Sequence, residues 1–224
     1  IRRPRPDDFQ IKQAVEKIKN SKKPIIISGG GVFYSDAMDE LGNFAVKHNI
    51  PVTQTVMGYS TMKKDHSHFV GPIGGLGGKA ANNLAKETDL AICIGTKLAD
   101  FTTGSWANFE NPEFKLVSIN IARHDANKHL AEAVIGDAKV TLTELSNAIG
   151  DWKSSDSWHK KSQVELKSWN QYVDKESGPT NQELPSYAHA VGAIYRNSDP
   201  TDIAVTAAGG LVGEVVQVWR PKEL

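Results

Sequence analysis

A single cysteine, Cys93, stands in 224 residues, so neither an internal disulfide nor a thiolate metal cluster can be built from this chain. It lies in the apolar run Leu90-Ala91-Ile92-Cys93-Ile94, where a buried structural thiol is the expected reading. No apolar run is long enough to span a bilayer, and no secretory leader is read at the start. A cytoplasmic location is the default expectation. Neither sign of charge is in excess: Lys plus Arg and Asp plus Glu both number 26. That balance removes the main electrostatic reason to expect nucleic acid or a membrane surface as a partner.

Other signatures are missing too. His66, His68, His124 and His129 have no carboxylate or cysteine spaced to complete a zinc shell, so no metal site is predicted. Gly104-Ser105-Trp106 lacks the second glycine of a nucleophile elbow. No pair of carboxylates stands out as acid and base, and no catalytic residue is assigned. The aromatics Trp152, Trp158, Trp169 and Tyr172 lie among lysines, but Asp151, Asp156, Glu165, Asp174 and Glu176 cancel that charge. This stretch, 152–177, reads as a long half-exposed helix and not as a nucleic-acid platform.

What is present is an alternation of strand and helix. Unbroken β-branched or apolar runs at 24–28, 51–56, 68–70, 89–95, 115–120 and 133–135 read as strands buried on both faces. Helix-period stripes separate them, at Phe9 to Ile18, about Asp36 to His48, Ala80 to Ala85 and Ala138 to Ile149. The pattern predicts an α/β, doubly wound, six-stranded parallel sheet over 7–150. Residues 1–6, with alternating Arg and Pro, are expected to be an extended, solvated linker. A helical linker is predicted over 151–180. A helix over 181–196 with Leu184, Tyr187, Ala188, Val191 and Ile194 inward is followed by a strand at 202–206, a glycine turn and a helix. Residues 181–224 thus read as the incomplete start of a second α/β domain, and both chain ends read as cut.

Glycine turns close several of these strands. Gly29, Gly30 and Gly31 could bring backbone N–H groups to a phosphate, although the spacing of a dinucleotide fingerprint is absent because the next helix is expected several residues later. The alternative is a turn that needs positive φ. Thr96 and Lys97 follow another strand, at the edge where open parallel sheets bind ligands, and would suit a diphosphate; a solvated loop is the alternative.

Several stretches together resemble the central domain of the acetolactate-synthase-like thiamine diphosphate enzymes: KKPIIISGGGV from Lys22, HNIPVTQT, DHSHFVGPIGGLG, DLAICIGTKLADFTTGSW and KLVSINIARHDANKH. DIAVTAAGGLVGEVVQVW resembles the first strand and helix of that family's diphosphate-binding domain. The resemblance implies a Rossmann-like, DHS-like middle domain, thiamine diphosphate and Mg²⁺ as cofactors, and a homo-oligomer. It implies that Ala208, Gly209, Gly210 and Leu211 approach the cofactor diphosphate. The strings TTGSW and TAAGG are most similar to the branch that opens a cyclic, polyol-derived 1,2-dione by hydrolysing a carbon–carbon bond in inositol catabolism. The alternative is an ADP- or FAD-binding central domain of an acetolactate synthase or pyruvate-oxidase-like enzyme, using Gly29 to Gly31, Thr96 and Lys97. Against FAD stand Asn120, where such members commonly carry an acidic residue, and Lys97, near which they carry arginine. The family's activating glutamate would precede Ile1 and its Mg²⁺ motif would follow Leu224. The isolated chain is therefore expected to be inactive.

Overall fold

The computed structural model describes residues 2–220. Ile1 of the expected linker and Pro221 to Leu224 of the expected terminal unit lie outside the described residues. The chain begins with α1 (Asp8–Asn20), β1 (Pro24–Ser28), α2 (Gly30–Tyr34), α3 (Met38–His48), β2 (Val52–Gln54) and β3 (Phe69–Pro72). It continues through α4 (Lys79–Glu87), β4 (Leu90–Ile94), α5 (Asp100–Thr103), β5 (Lys115–Asn120), α6 (Arg123–Ala126), β6 (Glu132–Ile135) and α7 (Ala138–Ile149). The long α8 (Asp156–Glu176), then α9 (Tyr187–Arg196) and α10 (Gly210–Val218), follow.

The strands form one parallel sheet in the order β3-β2-β1-β4-β5-β6. Alternation along each strand divides the core into two layers. Ile26, Ile92, Ile94, Val117 and Val134 face α1, α3 and α7, whose Ile11, Ile18, Phe44 and Leu145 cover them. Ile25, Ile27, Ala91 and Cys93 face the other way, under α4 and α8. Cys93 is fully buried, and burial pushes its thiol up, as befits a structural residue. Ala80, Ala81 and Ala85 line the inner face of α4, where small side chains let the helix lie close to the sheet.

Local chemistry sets the ends of these helices. Asp7 accepts from the Phe9 N–H at the start of α1, and Asp137 accepts from Lys139 and Val140 N–H at the start of α7. Asn49 closes α3 in the left-handed region, at φ 55°.

Four expectations need correction. The opening segment is not a free, solvated linker: Arg3 bridges Asp137 at 3.0 Å, Arg5 pairs with Glu144, and Asp137 N–H donates to Pro4 O. The arginines find carboxylates at the start and on the flank of α7, and Pro6 is buried there. Secondly, a short helix, α2, begins at Gly30 itself and not several residues later. Thirdly, in α9 only Val191 and Gly192 are buried, while Leu184 (before the helix), Tyr187 and Ile194 are exposed. The helix packs through a narrow seam, because a Cβ at Gly192 would lie 2.0 Å from Ser177 O. Lastly, 202–206 forms no strand. Among the described residues no strand lies beside it to satisfy its backbone groups, and Ile203 and Val205 are 88% and 91% exposed.

Candidate functional site

Strand order reverses between β1 and β4, which places a crevice at their carboxyl ends. Gly29 to Gly31 and Gly95-Thr96 meet there. Their meeting is tighter than a ligand cradle. Gly29 N–H donates to Ile94 O at 2.9 Å and Gly31 N–H to Gly95 O at 3.0 Å. A Cβ on Gly29 would stand 2.4 Å from Gly95 O, and one on Gly31 would stand 2.6 Å from Gly95 Cα. Gly30 lies against Met57 O, 2.9 Å from where its Cβ would be. Positive φ is not what this turn needs, since Gly29 is extended at φ −111° and Gly30 and Gly31 are helical. The glycines instead let two strand-end turns touch backbone to backbone, and two of their N–H groups are engaged within the protein.

The neighbouring polar groups are engaged as well. The Thr96 hydroxyl accepts from Leu98 N–H, while Asn120 donates to Thr96 O at 3.1 Å and accepts from Ala122 N–H at 3.0 Å. Lys97 is exposed, and its charge helps hold Asp125 below the ordinary carboxylate range, after the closer ion pair with Lys128. The arrangement fits mutual bracing of the two turns.

Ala208 to Leu211 lie elsewhere, at the start of α10. Gly209 has φ 139°, a conformation that favours glycine, and nothing lies within 4 Å of its missing Cβ. The turn is exposed and opens onto the N-terminus of a nine-residue helix, whose first N–H groups have no intrahelical acceptor. This fits one wall of a diphosphate site.

Helix α10 is held against the sheet unit by polar contacts that sequence reasoning missed. Gln217 donates to Leu76 O at 2.6 Å and accepts from Trp169 Nε1 of α8 at 3.0 Å. Tyr59 and Lys64 both donate to Trp219 O, just past the helix end. A groove of about 590 Å³ lies beside this junction, with Val56, Tyr59 and Ser60 on one wall and Ile203, Val212 and Val216 on the other. Leu76 belongs to the glycine-rich loop after β3. That loop is itself braced by the DFTTGSW segment: Gly75 N–H donates to Phe101 O at 2.7 Å, and a Cβ on Gly74 would lie 2.0 Å from the same oxygen.

Burial makes two polar groupings here unusual. Lys64 has a lowered pKa of about 6, mainly from burial and then from Arg220, and burial pushes the Tyr59 phenol up. On the far side of β3, His68 stacks on His159 of α8 at 4.1 Å, with His66 at 5.9 Å. Their nitrogens turn to different partners: His68 meets Ser67 and Asn49, and His66 Nδ1 accepts the His68 N–H. Asn49 also donates to Asp156. Among the described residues no such grouping is arranged to hold a metal ion.

Burial, followed by the charges of His159 and His66, lowers the His68 pKa from 6.5 to about 4. His66 and His159 are also lowered, chiefly by burial. Unfolding exposes these rings, so below pH 6.5 the unfolded chain binds more protons than the folded one. Stability is complete above that pH and falls as pH drops toward 4. His68 alone accounts for about 2 kcal/mol by about pH 5. Urea unfolding between about pH 7.5 and 5 should show the loss, and a midpoint constant over that range would refute it.

The family model described as "Thiamine pyrophosphate enzyme, central domain" matches residues 11–145, which is the sheet unit from α1 to α7. Relatives similar to the whole chain carry the name 3D-(3,5/4)-trihydroxycyclohexane-1,2-dione hydrolase. The protein of Clostridium perfringens (strain 13) is 34% identical over 98% of this chain and 38% of its own length. That of Bacillus anthracis (strain CDC 684) is 36% identical, and that of Geobacillus thermodenitrificans 32%, each over 100% of this chain and 38% of the relative. The chain therefore spans 38% of the length of these curated relatives. No helix among the described residues is long and apolar enough to cross a membrane. Since that family model spans more than half of the chain and all six parallel strands, the chain belongs to the thiamine pyrophosphate enzymes, of whose central domain its sheet unit is an example.

Proposed function

We propose that this chain is the central portion of a longer thiamine-diphosphate-dependent enzyme that hydrolyses a carbon–carbon bond of a trihydroxycyclohexane-1,2-dione. The observation that carries the reading is similarity to the dione hydrolases along the whole chain, through the Gly209 turn as well as the sheet unit. In this reading 7–150 is the central domain, 151–180 connects it, and 181–224 opens the diphosphate-binding domain. The N–H groups following Gly209 would meet the cofactor diphosphate, with Ala208, Gly210 and Leu211 shaping the turn. Thiamine diphosphate, when bound, supplies a centre that stabilises the carbanion formed on carbon–carbon cleavage. The sheet unit holds the turn-bearing helix in place, Gly29 to Gly31 with Gly95 and Thr96 brace that unit, and these turns with the exposed Lys97 are a vestige of a nucleotide site. Mg²⁺, a homo-oligomer and a cytoplasmic setting complete the proposal, the metal being held by residues beyond this chain.

Incubating the chain with thiamine diphosphate, Mg²⁺ and the cyclic dione should give no ring-opened product, whereas a polypeptide as long as the relatives should turn it over. Turnover by the chain alone, or none by the longer polypeptide, would overturn the reading. ADP and FAD should leave the melting temperature unchanged. A ligand at a hundred times its dissociation constant adds roughly 2.7 kcal/mol, so a site at the Gly29 and Thr96 turns would be evident.

A further inference from the structure

We infer that Gln217 is a positioning residue, which couples the Gly209 turn to the sheet unit by locking α10 onto both the loop after β3 and helix α8. The coupling rests on the reading of that turn as a diphosphate contact. The primary amide is the only part of the Gln217 side chain that can donate and accept at once, and both roles are filled. Its Nε2–H donates to Leu76 O in the loop after β3, and its Oε1 accepts from Trp169 Nε1 on α8. Those partners come from elements far apart in the chain, so a single side chain of α10 ties loop, linker helix and terminal helix together.

The surroundings are shaped for that amide. Gly78 leaves the space it needs, since a Cβ there would lie 2.6 Å from Trp169 Nε1 and 3.1 Å from Gln217 Oε1. Trp169 is steadied from behind by Tyr172, stacked at 5.3 Å. The Leu76 side chain also meets α10, 3.6 Å from where a Cβ on Gly213 would be. Further anchors hold the helix at its end, where Tyr59 and Lys64 donate to Trp219 O. Its beginning, the Gly209 turn, is exposed and has no comparable tie. Val216 and Val218 are buried and Val215 packs beside Val191 of α9, all in the second half of the helix, and Gln217 is the anchor that joins this half to both the loop after β3 and α8.

Two variants test this. Gln217→Leu removes both hydrogen bonds while keeping an apolar side chain of similar size, and Trp169→Phe removes one while keeping the ring on Tyr172. Amide hydrogen exchange in this chain should become about tenfold faster across 210–216 in Gln217→Leu, and less so in Trp169→Phe, with β1 and β4 amides unchanged. Unchanged exchange in α10, or equal acceleration in the sheet, would overturn the coupling. In the full-length enzyme the apparent dissociation constant for thiamine diphosphate should rise about fivefold, with kcat at saturating cofactor within about twofold of the parent. A fall in kcat at saturation with unchanged cofactor affinity would also overturn it. Exchange at 210–213 in the parent full-length enzyme with and without thiamine diphosphate tests the turn separately. If the cofactor does not slow it, the reading of the turn fails, while the variants in the isolated chain still decide the coupling.

Discussion

Gly95→Ala is expected to cost about 3–5 kcal/mol and to lower the melting temperature by roughly 10 °C. Two penalties combine. Gly95 sits at φ 61°, where a side chain is strained, and its Cβ would stand 2.6 Å from Gly31 Cα and 2.8 Å from Gly31 C. Neither obstacle can rotate away, because both belong to the backbone of the facing turn. Relief requires moving the ends of β1 and β4 apart, against their full parallel register and the hydrogen bond from Gly31 N–H to Gly95 O. Gly213→Ala is the control: its Cβ would meet only Leu76 Cδ2, at 3.6 Å, within a helix where alanine is preferred. It should be neutral or stabilising. Thermal melts of the two variants give the comparison, and a Gly95→Ala chain as stable as Gly213→Ala would show that the two turns do not brace each other.

That interlock also marks where sequence stops being informative. All six strands were legible, because β-branched runs such as Ile25-Ile26-Ile27 exclude most alternatives once helix-period segments separate them. The turns after β1 and β4 were legible as glycine-rich. That they press on each other was not, since it depends on strand order, and nothing local in Gly29 to Gly31 names β4 as the neighbour of β1. Similarly Asp202 to Thr206 has a strand's composition, yet a strand is a relation between segments and this one has no partner among the described residues. In α9 the helix period was visible and Val191 is inward as expected, but the helix starts at Tyr187 and not at 181, Leu184, Tyr187 and Ile194 are exposed, and the contact runs through Val191 and Gly192. Lys63 and Lys64 are indistinguishable as letters, although one is exposed and the other sits under α10 against Tyr59. A lone glutamine such as Gln217 carries no signal, because its importance lies in partners 141 and 48 residues away.

Trp158→Ala should be the most damaging change in α8, at about 3–5 kcal/mol. Trp158 is only 3% exposed and fills the layer formed by Ile25, Ile27 and Ala85. Its Nε1–H donates to Pro24 O at 2.9 Å, at the first residue of β1, so truncation opens a cavity and leaves that carbonyl without this donor. Trp158→Phe separates the two effects: most of the volume remains, and only the hydrogen bond is lost, for about 1–2 kcal/mol. Urea unfolding of both variants should therefore place the phenylalanine protein between the parent and the alanine protein. If Ala and Phe cost the same, packing contributes nothing and the argument fails. The consequence extends beyond stability, because α8 also carries Trp169, the residue that holds Gln217. Loosening the start of α8 at Trp158 should raise amide exchange across 210–216 as well as in α8 itself, whereas Gly95→Ala, acting on the opposite edge of β1, should affect α10 only through global unfolding. Exchange in α10 that responds equally to both changes would show that α8 does not transmit the sheet's position to the terminal helix.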